Sequence, residues 1–165
     1  MYHIPLLANK IAMKAASISE LKKELKYRSE EQLLDYCLAI ARFKLESKEL
    51  LTYLVFESEN EAAYIQSVKN YMDTEFAQIN TASYYYIKKS VRKILRQVKR
   101  YIRYSKQKEV EVELLSYFCQ KLKDIQPDIF KNKVLTNMYN TQMRLAKNAV
   151  AKLHPDLQYD YKELL

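Results

Sequence analysis

Glycine is absent from all 165 residues of this chain. At the ordinary usage of about 7%, roughly a dozen would be present. Tight hairpins of the Asn-Gly type need a residue that accepts positive φ at no steric cost. The Walker A loop and the dinucleotide fingerprint need glycine so that the backbone can approach phosphate. A hairpin-rich β fold and both of these nucleotide sites are therefore excluded. Tryptophan is missing too, and proline occurs only at 5, 127 and 155, outside every strong helical pattern. The two histidines, His3 and His154, sit near opposite ends of the chain, and neither belongs to an H-E-x-x-H or E-x-x-H motif. The zinc-peptidase and di-iron bundle patterns are thus lacking, and neither metal nor cofactor is expected.

Long apolar runs are also missing. Lys10 and Lys14 interrupt the opening "MYHIPLLANKIAMKAAS", which does not read as a signal peptide. Nothing approaches the ~18 apolar residues of a membrane span. The expectation is a cytoplasmic chain with no membrane contact. Two cysteines, Cys37 and Cys119, are too few for a disulfide scaffold. Both stand among apolar neighbours and are expected to be buried thiols acting as small hydrophobes.

What is present is helix. Three stretches, beginning at Ser17, Ser29 and Ser58, have serine followed three residues later by Glu or Gln, the capping-box pattern. Ser47, Thr81 or Ser83, and Asp128 are further candidate starts. With apolar periodicity, these signals predict helices at about 6–15, 18–28, 30–45, 48–57, 59–79, 83–106, 108–125 and 128–153. Residues 154–165 read as a C-terminal tail able to dock through Leu157, Tyr159 and Leu164. The expected fold is all-α, a single domain over 1–165 of seven or eight antiparallel helices joined by short connections. Fifteen tyrosines against five phenylalanines suit half-buried positions, with the ring packed and the hydroxyl wet.

An internal echo bears on architecture. "ELLTYL" at 49–54 resembles "ELLSYF" at 113–118, and in the same register Leu34, Leu38, Arg42 and Lys44 match Val98, Ile102, Lys106 and Lys108. Stacked helical hairpins would produce such an echo. The expectation is a solenoid-like stack, which resembles HEAT and armadillo repeats in architecture alone, since no consensus position of a named repeat is present. A compact helical bundle is the alternative.

Residues 84–108 hold ten Lys or Arg and no Asp or Glu. Removing those ten from the chain's 28 cations leaves 18 against 20 carboxylates. The net charge of +8 therefore arises from one segment of an otherwise near-neutral protein. At 100° per residue from Ile87, the apolar Val91, Ile94, Leu95, Val98, Tyr101 and Ile102 fall between about 320° and 80°. Lys88, Lys89, Arg92, Lys93, Arg96, Lys99, Arg100 and Arg103 fall between about 100° and 240°. One side enters a core and the other is cationic.

Three uses of that cationic face compete. It is a solvated surface answered by the carboxylates of "EVEVE" at 109–113 and "ESENE" at 57–61. Or it docks an acidic protein surface. Or it holds nucleic-acid phosphates without sequence preference, with Tyr85, which projects amid the arginines, stacking on an unpaired base. A membrane-surface role is disfavoured because the apolar side is needed for the core. Glu57, Glu59 and Glu61 are helix-start carboxylates rather than metal ligands. No nucleophile, base or cofactor motif emerges, so an enzyme of unrecognised type comes last. The leading expectation is a non-enzymatic interaction protein, a scaffold or adaptor. Its binding residues are Lys88, Lys89, Arg92, Arg96, Lys99, Arg100 and Arg103, and its partner is an acidic protein surface, with nucleic acid as the alternative.

Overall fold

The structure is a computed structural model that describes residues 14–161. In chain order it contains α1 (Ile18–Leu25), α2 (Glu30–Phe43), α3 (Leu45–Thr52), α4 (Glu61–Ala77), α5 (Tyr84–Ser105), α6 (Lys108–Lys123), α7 (Lys133–Val150) and α8 (Pro155–Asp160). A π-helical turn, Tyr53–Glu57, continues α3, and a 3-10 turn, Ile129–Lys131, precedes α7. No strand occurs among the described residues, and the expected all-α class holds. The expected helix at 6–15 lies outside those residues except for Lys14 and Ala15, which are not helical.

The chain forms two compact units, Met1–Lys48 and Glu49–Leu165. In the first, α1 and α2 begin where their serines dictate. Glu20 donates its N–H to the Ser17 hydroxyl at 3.3 Å while its carboxylate accepts from the Ser17 N–H at 2.8 Å. Ser29 and Gln32 repeat the exchange at 3.2 and 3.1 Å. Each box satisfies two backbone donors that a helix start otherwise leaves open. No residue from 14 to 48 is buried.

The second unit is built around α6, which packs against α4, α5 and α7. Val112, Leu114, Leu115, Ser116 and Phe118 point in different directions from its axis, yet all are buried. A helix that buries residues pointing in so many directions lies in the middle of a core. Phe118 meets the ring of Phe76 on α4 edge-on at 5.6 Å. From α5, Ile87, Val91 and Val98 are fully buried in the same cluster. Tyr64, Tyr84, Tyr104 and Tyr117 line its margin with rings packed and hydroxyls hydrogen-bonded, whereas Tyr27, Tyr36, Tyr85, Tyr86 and Tyr159 are exposed. Tyr53 lies 4.7 Å from Tyr64, whose hydroxyl donates to the Tyr101 carbonyl at 2.9 Å.

Several local expectations are corrected. The N-cap of α4 is Asn60, which accepts from the Ala63 N–H at 3.0 Å, whereas the Ser58 hydroxyl turns back to the Leu54 carbonyl. Ser47 lies inside α3. Asp128 caps only the 3-10 turn, and Asn132 opens α7. His154 caps α8, with Pro155 as its first residue, within the stretch expected to be a tail. A helix start favours negative charge, which the Asp156 carboxylate supplies 3.3 Å away. With no glycine to take it, the left-handed position ending α5 falls to Lys106, at φ 58°. The internal echo does not extend to burial: Leu34 is exposed where Val98 is buried, and Leu50 and Leu54 are exposed where Leu114 and Phe118 are buried.

The two cysteines also part company. Cys119 is buried, and burial pushes its thiol up to about 12, but Cys37 is exposed on α2. A thiol-selective alkylating reagent near neutral pH is expected to add one label to the native chain, at Cys37. A second label, at Cys119, should follow only in denaturant, because the thiolate is the reactive form. Peptide mass spectrometry reads both sites.

Candidate basic interaction surface

Helix α5 is unbroken over its 22 residues and follows the amphipathic division of its sequence. Ile87, Val91, Ile94 and Val98 face the core with at most 1% of their surface exposed. Lys89, Arg92, Lys93, Arg96, Lys99 and Arg103 are exposed on the other side, while Lys88 and Arg100 are half-buried.

One edge of this face is neutralised from within. Arg100 lies against Glu49, its Nη1 3.3 Å from the carboxylate oxygen Oε2, and its side chain is only 16% exposed. The same oxygen accepts from the Tyr104 hydroxyl at 2.8 Å. On the same edge, Lys93 Nζ lies 3.0 Å from Glu75 of α4. Arg100, expected among the binding residues, is therefore a tie between α5 and Glu49.

The rest of the face is unanswered. No carboxylate among the described residues lies within ion-pair distance of Lys88, Lys89, Arg92, Arg96, Lys99 or Arg103. Two of the carboxylates expected to neutralise it, both from the stretch 109–113, are engaged elsewhere. Glu111 pairs with Lys108, and Glu113 pairs with Lys69 at 2.6 Å. Burial and the field of Glu113, Glu109 and Glu61 push the Tyr161 hydroxyl up to about 12.

The C-terminal half of the face borders an open cleft of about 420 Å³. Arg96, Lys99 and Arg103 of α5, spaced three and four residues apart and so on one side of the helix, form its rim. Ile102, with Leu115 of α6 and Leu145 of α7, forms an aliphatic floor, and Glu111 is the single carboxylate among the described residues on the wall. Lys88, Lys89 and Arg92 lie on the N-terminal half of the helix and do not line the cleft. Tyr85 is 65% exposed, with its ring edge-on to Tyr86 at 5.3 Å. The cleft was not visible in sequence, because its floor joins residues from three helices, and Leu145 carries no local signal that sets it apart from other helix leucines.

Among the described residues, no group of three or more His, Cys, Asp or Glu is placed to hold a metal ion. No helix among them is long and apolar enough to cross a membrane. No protein-family model, curated protein or solved structure matches this chain.

Proposed function

We propose that the chain is a non-enzymatic interaction protein that captures an acidic, amphipathic protein segment in the cleft beside α5. The observation that carries this is the pairing of a cationic rim, Arg96, Lys99 and Arg103, with an aliphatic floor, Ile102, Leu115 and Leu145. Three adjacent cations with no ion-pair partner among the described residues attract carboxylates, steer their approach and set orientation. The floor rewards Leu- or Ile-sized side chains that alternate with those carboxylates, as in helix-in-groove recognition. Nucleic-acid phosphates draw on the rim alone. An unpaired base gains most from an aromatic platform, and no aromatic side chain among the described residues lines the cleft. A protein partner is thus favoured over nucleic acid.

Fluorescence anisotropy with two labelled probes tests this reading: a Glu- and Leu-rich amphipathic peptide and a single-stranded RNA. The peptide is expected to bind the full chain, more weakly as salt rises. Arg96→Glu, Lys99→Glu and Arg103→Glu together should weaken it about 100-fold, at roughly 1 kcal/mol per reversed contact. Lys88→Glu with Lys89→Glu, outside the cleft, should cost less than about fivefold. RNA that bound more tightly than the peptide, with a steep linear fall of log affinity against log salt, would transfer the surface to nucleic acid. Failure of both probes at low salt would remove the reading.

A further inference from the structure

Helix α2 leaves an apolar stripe uncovered. At 100° per residue, Leu33, Leu34, Cys37, Leu38, Ile40 and Ala41 fall within an arc of about 160°. None of the helix's 14 residues is buried. Leu34 and Ile40 are 59% and 62% exposed. Ile18, Leu21 and Leu25, one stripe of α1 in the same unit, are exposed as well. Apolar arcs this wide are what helices use to enter a core, and contiguous exposed apolar surface marks an interaction site.

The charges beside the stripe select the occupant. Glu30 and Glu31 begin α2, Arg42 stands in its last turn and Lys44 at its C-cap. Glu31 and Arg42 lie within about 20° of each other around the axis and about 16 Å apart along it, on the same flank of the stripe. Neither has an ion-pair partner among the described residues. Two antiparallel helices related by a two-fold axis meet flank to like flank. Setting Glu31 against Arg42 of the other helix makes that pair twice. The same register sets Leu33 against Ile40. A parallel pairing would instead set this flank against the opposite one, where Gln32, Tyr36 and Phe43 project, and would make neither pair. The pattern is self-complementary in one orientation, the condition for an isologous interface.

We infer that α2 is a homodimerisation helix, pairing antiparallel with α2 of a second copy about an axis between Tyr36 and Cys37. The exposed thiol of Cys37 then lies beside its counterpart across the axis, whereas Cys119 is buried in the other unit. This pairing does not depend on the cleft beside α5.

Sedimentation equilibrium of the full chain, with circular dichroism to confirm helicity, tests the inference. A concentration-dependent dimer is expected, and Leu34→Asp with Leu38→Asp should leave a monomer. Arg42→Glu turns two attractive pairs into two repulsive ones and should weaken the dimer about tenfold, equivalent to about 1.4 kcal/mol. Adding Glu31→Arg should restore affinity to within about threefold of the original, a rescue that non-specific apolar association does not give. A short bismaleimide should link two native chains through Cys37 and fail on Cys37→Ser. A chain that stays monomeric at every concentration overturns the inference, and its stripe then faces another protein or another part of the chain. A dimer in which Glu31→Arg fails to rescue Arg42→Glu, or in which Cys37 does not crosslink, overturns it equally.

Discussion

Replacing Phe118 by alanine is expected to lower the unfolding free energy of the 49–165 unit by about 3–5 kcal/mol. The ring is wholly buried on α6, edge-on to Phe76. Its neighbours Leu114, Leu115 and Leu122 come from a helix held by α4, α5 and α7 at once. With support on three sides, α6 cannot shift to close the space, so the cavity cost adds to the lost transfer energy. Domains of this size hold only about 5–15 kcal/mol in total, so the variant forfeits a large fraction, with a fall of roughly 10–20 °C in midpoint temperature. Urea titration followed by circular dichroism measures the loss. Phe118→Leu, which keeps most of the volume, should cost under about 1.5 kcal/mol. Tyr85→Ala, on the exposed side of α5, should stay within about 0.5 kcal/mol. A loss below about 1 kcal/mol for Phe118→Ala would mean that α6 is not the centre of the core.

The fold was legible wherever the signal is local. The Ser17/Glu20 and Ser29/Gln32 boxes start α1 and α2 at the expected residues, because each box closes within one turn and needs nothing from elsewhere. Legibility failed where several cap-competent residues stand together. In "ESENE", Ser58 and Asn60 both offer a side-chain oxygen, and the choice went to Asn60 because Tyr53–Glu57 continues helically and draws the Ser58 hydroxyl back to Leu54. Between Pro127 and α7, a 3-10 turn used Asp128 and left Asn132 to begin the long helix. Burial was less legible still. "LLDYCLAIA" and "LLSYFCQKL" read alike, yet the first belongs to a helix with no buried residue and the second to the most enclosed helix in the chain.

The cationic face was legible in direction but not in detail. Periodicity alone separated the apolar and basic sides of α5, since a 22-residue helix leaves little freedom in which residues share a side. Periodicity cannot say which cations are spent internally. Arg100 differs from Arg96 and Arg103 only because Glu49, 51 residues earlier, is folded against it. In the acidic stretch at 109–113, close in sequence and the obvious neutraliser, Glu111 and Glu113 pair with Lys108 and Lys69 instead. Pairing is decided by which helices touch, and that was the part sequence did not carry.

Stability is expected to fall steeply between about pH 10 and 12, and the cause is the same tyrosine margin that completes the core. Burial, together with nearby carboxylates and tyrosines, raises Tyr71 and Tyr161 to about 12. Burial raises Tyr64 further, its hydroxyl being donated to the Tyr101 carbonyl. In the unfolded chain all three titrate near about 10. A group whose folded pKa is raised contributes its full stability below the unfolded pKa and loses it as pH rises through the folded one. Between about 10 and 12 the unfolded chain has released these protons and the folded chain still holds them, so the unfolding free energy declines with pH. Each tenfold difference in proton affinity between the folded and unfolded chain is worth about 1.36 kcal/mol for a fully enclosed group. Tyr71 and Tyr161 are only half-buried, and solvent screening reduces the sum for the three to on the order of 4 kcal/mol. Urea titrations at a series of pH values, with tyrosinate absorbance recorded in parallel, give the slope. Tyr64→Phe should cost about 1 kcal/mol at neutral pH through its lost hydrogen bond, yet flatten the alkaline decline by one proton. Tyr64→Phe with Tyr71→Phe and Tyr161→Phe should flatten it by three. Lysines titrate in the same range in both chains, so their effect cancels in the comparison. An unchanged slope in the triple variant would assign the alkaline loss to lysine charge and not to the tyrosines.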